Sequence, residues 1–554
     1  MRIYRIHRLV FACALGILFD GSLRAERTIS KDKNGSAEKN VRSFTDLQSF
    51  AERLAAQDYR REPPLAGELA KMEYEQYSKI HFKHEKAIWA DGDHPFWLEF
   101  FHRGFVQQDR IDCYLIPNDP KPQTNPEVTE VTYSPDQFRF GDQAMPLTIP
   151  DSVGFAGIRI AGRFSPDGDP QELLTFIGSS YFRARTGQTV YGTSARGLAV
   201  DVGMNQDEEF PDFRKFWVVE PSSKDRDIRI LALLDSPSLT GAYQFDFRPS
   251  ETVSKMNVKA SLYFRKSPSK LAIAPLTSMW IWGDGLEGPP LDLRPSVHDA
   301  DGLLIHADDQ WQWRSFARLP YPSVSSIRVD ELQGFGLLQR DRIFLHYDDY
   351  NARYHDRPSV WVRPIKDFGK GRIELLEIPG AHEGIDNIGA YFVADEPTDI
   401  HQPLHLNYQT FFFRDEAELP VFESGPELTA KFDCLDVDRR SNDSGIRLEI
   451  TFRCNVAEDG DQDEDEVVAT DPTESDEARA KIQTIRGEVK QQSVNRTESG
   501  YQVDLTIVPT EAAPIELELT LLDSQSQPIS ETFRYLCPHE QPTFVYPSVY
   551  TRKE

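Results

Sequence analysis

From about Phe96 onward, apolar and aromatic residues recur at every second position, in short runs cut by Pro, Gly and Asp turns every 8 to 12 residues. Side chains alternate faces along a strand, so this period commits most of the chain to strands that each bury one face. Many such strands in succession close up as sandwiches, and the pattern predicts a mainly β protein built around a large antiparallel β-sandwich. The alternation is clearest near the far end: Ile446, Leu448, Ile450, Phe452; then Tyr501, Val503, Leu505, Ile507; then Ile515, Leu517, Leu519, Leu521. These strands predict a second, small immunoglobulin-like β-sandwich. Between the two, the run from Asp415 to Pro426 breaks the period with acids, prolines and a glycine. The 554 residues therefore divide into a large domain over 41–415, a linker over 416–425 and a small domain over 426–554.

The N-terminus follows a different logic. Arg2, Arg5, His7 and Arg8 precede the apolar run Leu9 to Phe19, and Ser22-Leu23-Arg24-Ala25 offers a small-residue cleavage site. That is the layout of a secretory signal peptide over 1–25, and no later stretch is apolar enough to cross a bilayer. Export places the mature protein beyond the inner membrane, with no membrane insertion after cleavage. Residues 26–40 are polar and read as a flexible leader. A helix is expected next, with Thr45 as N-cap, Gln48 completing a capping box, and Leu47, Phe50, Ala51 and Leu54 on one face. An exported chain can form disulfides, and Cys434, Cys454 and Cys537 cluster late in the sequence while Cys113 stands apart. One bridge among the late three is expected.

Charge narrows the partners. The formal net charge is −27, and binding a phosphate backbone needs clustered positive charge. Nucleic acid is excluded, whereas a neutral polymer is not. The most acidic stretch, 456–477, includes Asp461, Asp463 and Asp465 at the spacing that opens a calcium loop, but Glu466 stands where that loop needs Gly. It reads as a solvated loop, and no metal and no cofactor are expected. His81-x-x-His84 reads as a surface pair, and no G-x-S-x-G, Walker or H-E-x-x-H motif is present.

What remains fits carbohydrate. Sugars present apolar C–H faces that stack on aromatic rings, and hydroxyls that demand polar partners. All eight tryptophans lie in the large domain, with Trp280-x-Trp282 and Trp311-x-Trp313 at strand spacing. Glycoside hydrolysis needs one carboxyl as acid and another as base or nucleophile. The runs Arg294-Pro295-Ser296-Val297-His298-Asp299-Ala300-Asp301-Gly302 and Glu383-Gly384-Ile385-Asp386-Asn387 set acids beside turn residues, where functional side chains are usually displayed.

Longer runs carry a resemblance. Tyr191-Gly192-Thr193-Ser194-Ala195-Arg196-Gly197-Leu198-Ala199-Val200-Asp201, Ala232-Leu233-Leu234-Asp235-Ser236-Pro237-Ser238-Leu239-Thr240-Gly241-Ala242-Tyr243, Gln333-Gly334-Phe335-Gly336-Leu337-Leu338-Gln339-Arg340 and Arg357-Pro358-Ser359 resemble the periplasmic osmoregulated glucan biosynthesis proteins of the G/D type. The resemblance covers about residues 43 to 415 strongly and the remainder weakly. It implies a galactose-mutarotase-like sandwich joined to an immunoglobulin-like domain, a β-1,2-linked glucan as ligand, and a membrane glucan synthase as a further partner. Some members of that family are inverting endo-β-1,2-glucanases. By motif, the general acid falls on Asp386 and the base on Asp299, with Asp301 as second choice, and Tyr354 falls on the loop that relays a proton from water to the base. Asp301, Arg357, Trp311, Trp313 and Trp361 are the substrate-binding candidates. Two departures stand out: Gly384-Ile385 replaces the family's Thr-Asn before the acid, and Ala300 replaces a Ser beside the base. The implied function is an inverting β-1,2-glucanase, and the alternative is a non-hydrolytic glucan-binding accessory of a membrane synthase.

Overall fold

The computed structural model describes residues 37–90, 93–118, 127–141, 149–165, 168–379, 382–419, 432–442, 444–454 and 478–540. The signal peptide, most of the leader, most of the 416–425 linker and all of the 456–477 loop lie outside them.

Two large sheets face each other, as the period of two requires. The first runs, in spatial order, Phe96–His102, Phe155–Gly162, Gln171–Ile177, Tyr181–Ala184, Ser194–Arg196, Leu271–Ser278, Ile388–Ala394, Gly371–Glu377 and Ser323–Val329. The second, of fourteen strands, has Val253–Phe264 and Leu404–Phe413 near its middle. Phe176, Phe182, Phe213, Phe216, Tyr243 and Phe245 interlock between the sheets at ring-centroid distances of 5.1 to 6.0 Å. Each such ring removes on the order of 150–250 Å² from water, so this seam dominates the cohesion of the sandwich. The fold is the mainly β sandwich that the sequence predicts.

Among the described residues, strand pairs are antiparallel except at two places. Asp112–Ile116 runs parallel to Asp212–Val219, and Gln310–Ser315 runs parallel to Thr532–Cys537. The second junction carries the sheet onward from Gln310–Ser315 through Thr532–Cys537 and Ile515–Leu522 to Arg479–Ile485. A separate four-stranded sheet, Phe432–Asn442, Gly445–Cys454, Gly500–Pro509 and Gly487–Arg496, packs against this extension. The alternating residues of the late strands are all buried in the resulting core. The four cysteines from Cys113 to Cys537 are free, so the expected bridge is not formed. Cys434 stands opposite Phe452, and Cys454 opposite Phe432, in their strand pair.

On the outer face of the second sheet lies the helix Phe44–Ala55, which buries Leu47 and Ala51 against Tyr114, Trp217, Leu231 and Leu233. Its N-cap is Ser43 and not Thr45: the Ser43 hydroxyl accepts from Asp46 N at 3.2 Å and donates to Asp46 Oδ2 at 2.7 Å. Two hydroxyl residues two positions apart both satisfy a capping pattern, and the extended Ser43 (φ −142°) takes the role. Ser43→Ala is expected to cost about 1 kcal/mol, read as a lower urea midpoint with unchanged slope. The leader also ends earlier than expected, because Glu38–Asn40 forms a 3-10 turn whose Glu38 carbonyl accepts from Trp217 Nε1 at 3.0 Å.

Candidate active site

The site is assembled on the face of the first sheet that looks away from the aromatic seam. Across it, Glu99 stands opposite Arg159, Arg159 opposite Thr175, and Thr175 opposite Arg183. Thr277 stands opposite Ser194 on one side and Gly389 on the other. Residues opposite one another share a face, while Phe176 and Phe182, one position off, point into the seam. The result is a polar row that ends where Ile388–Ala394 begins, immediately after Asp386.

Asp386 is held by this row. Thr277 donates to its Oδ2 at 3.0 Å, and Arg183 Nη2 lies 3.6 Å from the same oxygen. The neighbouring Asn387 spends its whole amide on backbone: Nδ2 donates to Trp280 O (2.9 Å) and Ile378 O (3.0 Å), and Oδ1 accepts from Trp280 N (2.9 Å). That ties the loop to Trp280–Trp282, whose Trp280 pairs with His298. Asp299 follows His298 directly, and its N–H donates to Met279 O at 2.8 Å. Two loops far apart in sequence thus hang from one short strand, and each presents a carboxyl.

Asp299 is buried, with Arg357 Nε 3.5 Å from its Oδ1. Burial pushes its pKa up. The Arg357 guanidinium opposes that rise, the negative charge of Asp386 adds to it, and Arg183 opposes it more weakly. The two carboxyls therefore sense each other's charge. Asp301, the second-choice base, is turned elsewhere: its Oδ2 accepts from the backbone N–H groups of Arg340 and Asp341, and Oδ1 lies 3.1 Å from His298 Nδ1.

Tyr354 is buried beside this pair, with the Arg357 guanidinium 5.3 Å from its ring centroid. Its hydroxyl donates to Glu383 Oε2 at 2.6 Å. Glu383 also receives two hydrogen bonds from Arg294, at 2.7 and 3.0 Å, and Arg294 reaches Asp349 at 3.0 Å. The Asp386 loop, the Tyr354 loop and the 292–294 turn are clasped together by these charges. One strand over, Tyr181 lines a cavity of about 420 Å³ together with Phe210, Asp109 and Asp212. Arg196 stands over both the Tyr181 and Phe210 rings, and burial, aided by Asp109, lifts Asp212 to about 7.

Asp386, Asp299, Tyr354 and Arg357 are thus brought together. The three tryptophans are not among them. Trp313 and Trp361 are buried between the second sheet and the late strands, and Trp311 stacks on His306 at 4.0 Å and lies 5.8 Å from Trp361. A Cβ on Gly302 or Gly334 would collide with the Trp313 and Trp361 rings, so these indoles lie flat on a glycine floor as core. Arg183 and Thr277 were not singled out by sequence, because only the cross-strand register brings them to the carboxyls, whereas Glu383 and Asn387 lie in the same run as Asp386. Among the described residues, no group of three or more His, Cys, Asp or Glu is arranged to hold a metal, and no helix is long and apolar enough to cross a membrane.

Comparison with known proteins gives a consistent set of relatives. A family model described as "Periplasmic glucan biosynthesis protein, MdoG" matches residues 43–537. "Glucans biosynthesis protein G" of Serratia proteamaculans is 39% identical over 379 residues, covering 68% of this chain and 71% of that protein. The protein of the same name from Pseudomonas paraeruginosa is 34% identical over 506 residues, covering 90% and 93%. That of Ralstonia nicotianae is 34% identical over 500 residues, covering 89% and 96%. A match of this extent, on a mainly β sandwich whose paired carboxyls sit at one face, makes the chain a member of the periplasmic glucan biosynthesis protein family, MdoG.

Proposed function

We propose that this protein is an inverting endo-β-1,2-glucanase that trims the glucan backbone in the periplasm. Asp386 acts as general acid toward the leaving oxygen, Asp299 as general base toward water, and Tyr354 lies on the relay between water and base. The observation that carries the reading is the meeting of Asp386 and Asp299 beside Arg357 and Tyr354. Asp386 is held by a hydroxyl and a guanidinium at the end of a polar row, whereas burial raises the pKa of Asp299 and so strengthens it as a base wherever it stays ionised. An inverting enzyme needs a water between sugar and base, or a relay that reaches it.

One observation favours the second reading, a glucan-binding accessory of a membrane synthase. The Tyr354 hydroxyl donates its hydrogen bond to Glu383, and Gly384 brings no side chain to the loop, its backbone N–H donating to His382 Nδ1 at 2.9 Å. Incubating the mature protein with linear β-1,2-glucan, and following new reducing ends and their anomeric form, separates the two. Release of α-anomeric fragments supports the glucanase, and saturable binding without cleavage supports the accessory.

The base assignment has its own test. Asp299 must be ionised to accept a proton, so its raised pKa puts the acid limb of kcat/KM above that of an ordinary aspartate. Arg357 opposes the rise, so Arg357→Gln is expected to move that limb to higher pH. An unmoved limb removes Asp299 from the base role.

A further inference from the structure

Gln339 follows directly on the strand Leu332–Leu338, with its side chain buried. One end of its amide faces three oxygens: the Tyr347 hydroxyl at 2.9 Å, the Tyr354 carbonyl at 3.1 Å and the His298 carbonyl at 3.3 Å. Carbonyl oxygens only accept, so that end is the nitrogen, and its two hydrogens are fully committed. The other end, Oε1, lies 3.0 Å from His298 Nδ1, which therefore carries a hydrogen. The backbone is pinned as well, its N–H donating to Ser359 Oγ at 3.0 Å. One rigid amide at the end of a central strand thus grips two loops by their main chains. The first is the His298 peptide, whose next residue is Asp299. The second is the Tyr354 peptide, whose phenol reaches Glu383, on the loop of Asp386.

We propose that Gln339 is the positioning residue that fixes Asp299 and Tyr354 relative to one another, a role that rests on the hydrolytic reading above. No other side-chain type serves all four contacts. A carboxylate at this position cannot donate to two carbonyls. An aliphatic or thioether chain leaves those carbonyls buried and unpaired, and buried unpaired groups drive the backbone to rearrange. Gln339 is buried, and its hydrogen bonds run to His298, Tyr347, Tyr354 and Ser359 and not to either carboxyl. Its loss is therefore expected to act on the transition state, where base, water and relay must align, and not on ground-state binding of the glucan.

The test is the split between kcat and KM on linear β-1,2-glucan for Gln339→Met and Gln339→Glu, with thermal unfolding measured in parallel and Thr520→Ala as a hydroxyl control in the late strands. Both Gln339 variants are expected to lose on the order of 10²-fold in kcat with KM within about twofold of wild type. Gln339→Glu keeps the shape and the acceptor for His298, so equal loss in both variants assigns the effect to the donor pair. A folded variant with kcat within about threefold of wild type overturns the proposal, as does a rise in KM at constant kcat. Failure of both variants to fold assigns Gln339 a purely structural role and also overturns it. A wild-type protein that cleaves no glucan overturns the hydrolytic reading itself, and the positioning role with it.

Discussion

Asp386→Asn is expected to lower the release of reducing ends from linear β-1,2-glucan by about 10³-fold while leaving glucan affinity within a few-fold, since a positioned general acid supplies roughly 10² to 10⁴ in rate. The substitution keeps the shape of the side chain and an oxygen able to accept from Thr277, so the polar row should hold. What it removes is the transferable proton that the leaving oxygen needs. Calorimetric titration with glucan, beside the reducing-end assay, reads both effects. Undiminished hydrolysis in the variant would refute the acid assignment.

The largest effect on stability is expected from Arg340→Met. Arg340 is buried, and its guanidinium lies 3.9 Å from the Trp313 ring centroid. It donates to Glu531 at 2.6 and 3.1 Å, to Glu416 at 2.7 and 3.2 Å, and to the Cys434 carbonyl at 2.8 Å. A well-made buried pair contributes little net, but removing one partner strands the other in a medium that cannot solvate it, at a cost of about 3–5 kcal/mol. The pH dependence has a defined sign. Burial already raises the Glu531 pKa, with Arg340 opposing it, and without Arg340 it rises further. A group with a raised folded-state pKa contributes stability when protonated and loses it as pH climbs through that value. The deficit should therefore be largest at neutral and alkaline pH and shrink toward acid. Urea midpoints across pH test this, and Glu531→Gln added to Arg340→Met should recover part of the loss.

How much could be read in advance differs between residues for physical reasons. The late strands were legible because Leu448, Val503 and Leu517 each sit in an unbroken alternation, and burial on one face leaves little else such a pattern can mean. The two carboxyls were proposed through their motifs. Their surroundings were not, because Arg183 and Thr277 reach Asp386 only through the order in which strands join the first sheet, which a linear sequence does not carry. The tryptophans misled for a related reason. Trp311, Trp313 and Trp361 look like a ligand platform at strand spacing, and what covers them is a set of strands that begins only at Phe432. Exported cysteines likewise signal bridges, yet neither Cys434 nor Cys454 faces a second cysteine in its strand pair.

The parallel join between Gln310–Ser315 and Thr532–Cys537 bears on how the chain reaches its native state. An edge of the second sheet is closed by one of the last described segments, so the large unit cannot complete its hydrogen bonding until nearly the whole polypeptide is available. Contacts of such long sequence separation form slowly, and until they form Gln310–Ser315 offers an open edge and uncovered indoles to any neighbouring chain. Folding is thereby deferred to the end of the chain's passage, which suits a protein that crosses a membrane before it acquires its shape. A fragment ending before residue 432 should for the same reason self-associate, not behave as a smaller version of the whole.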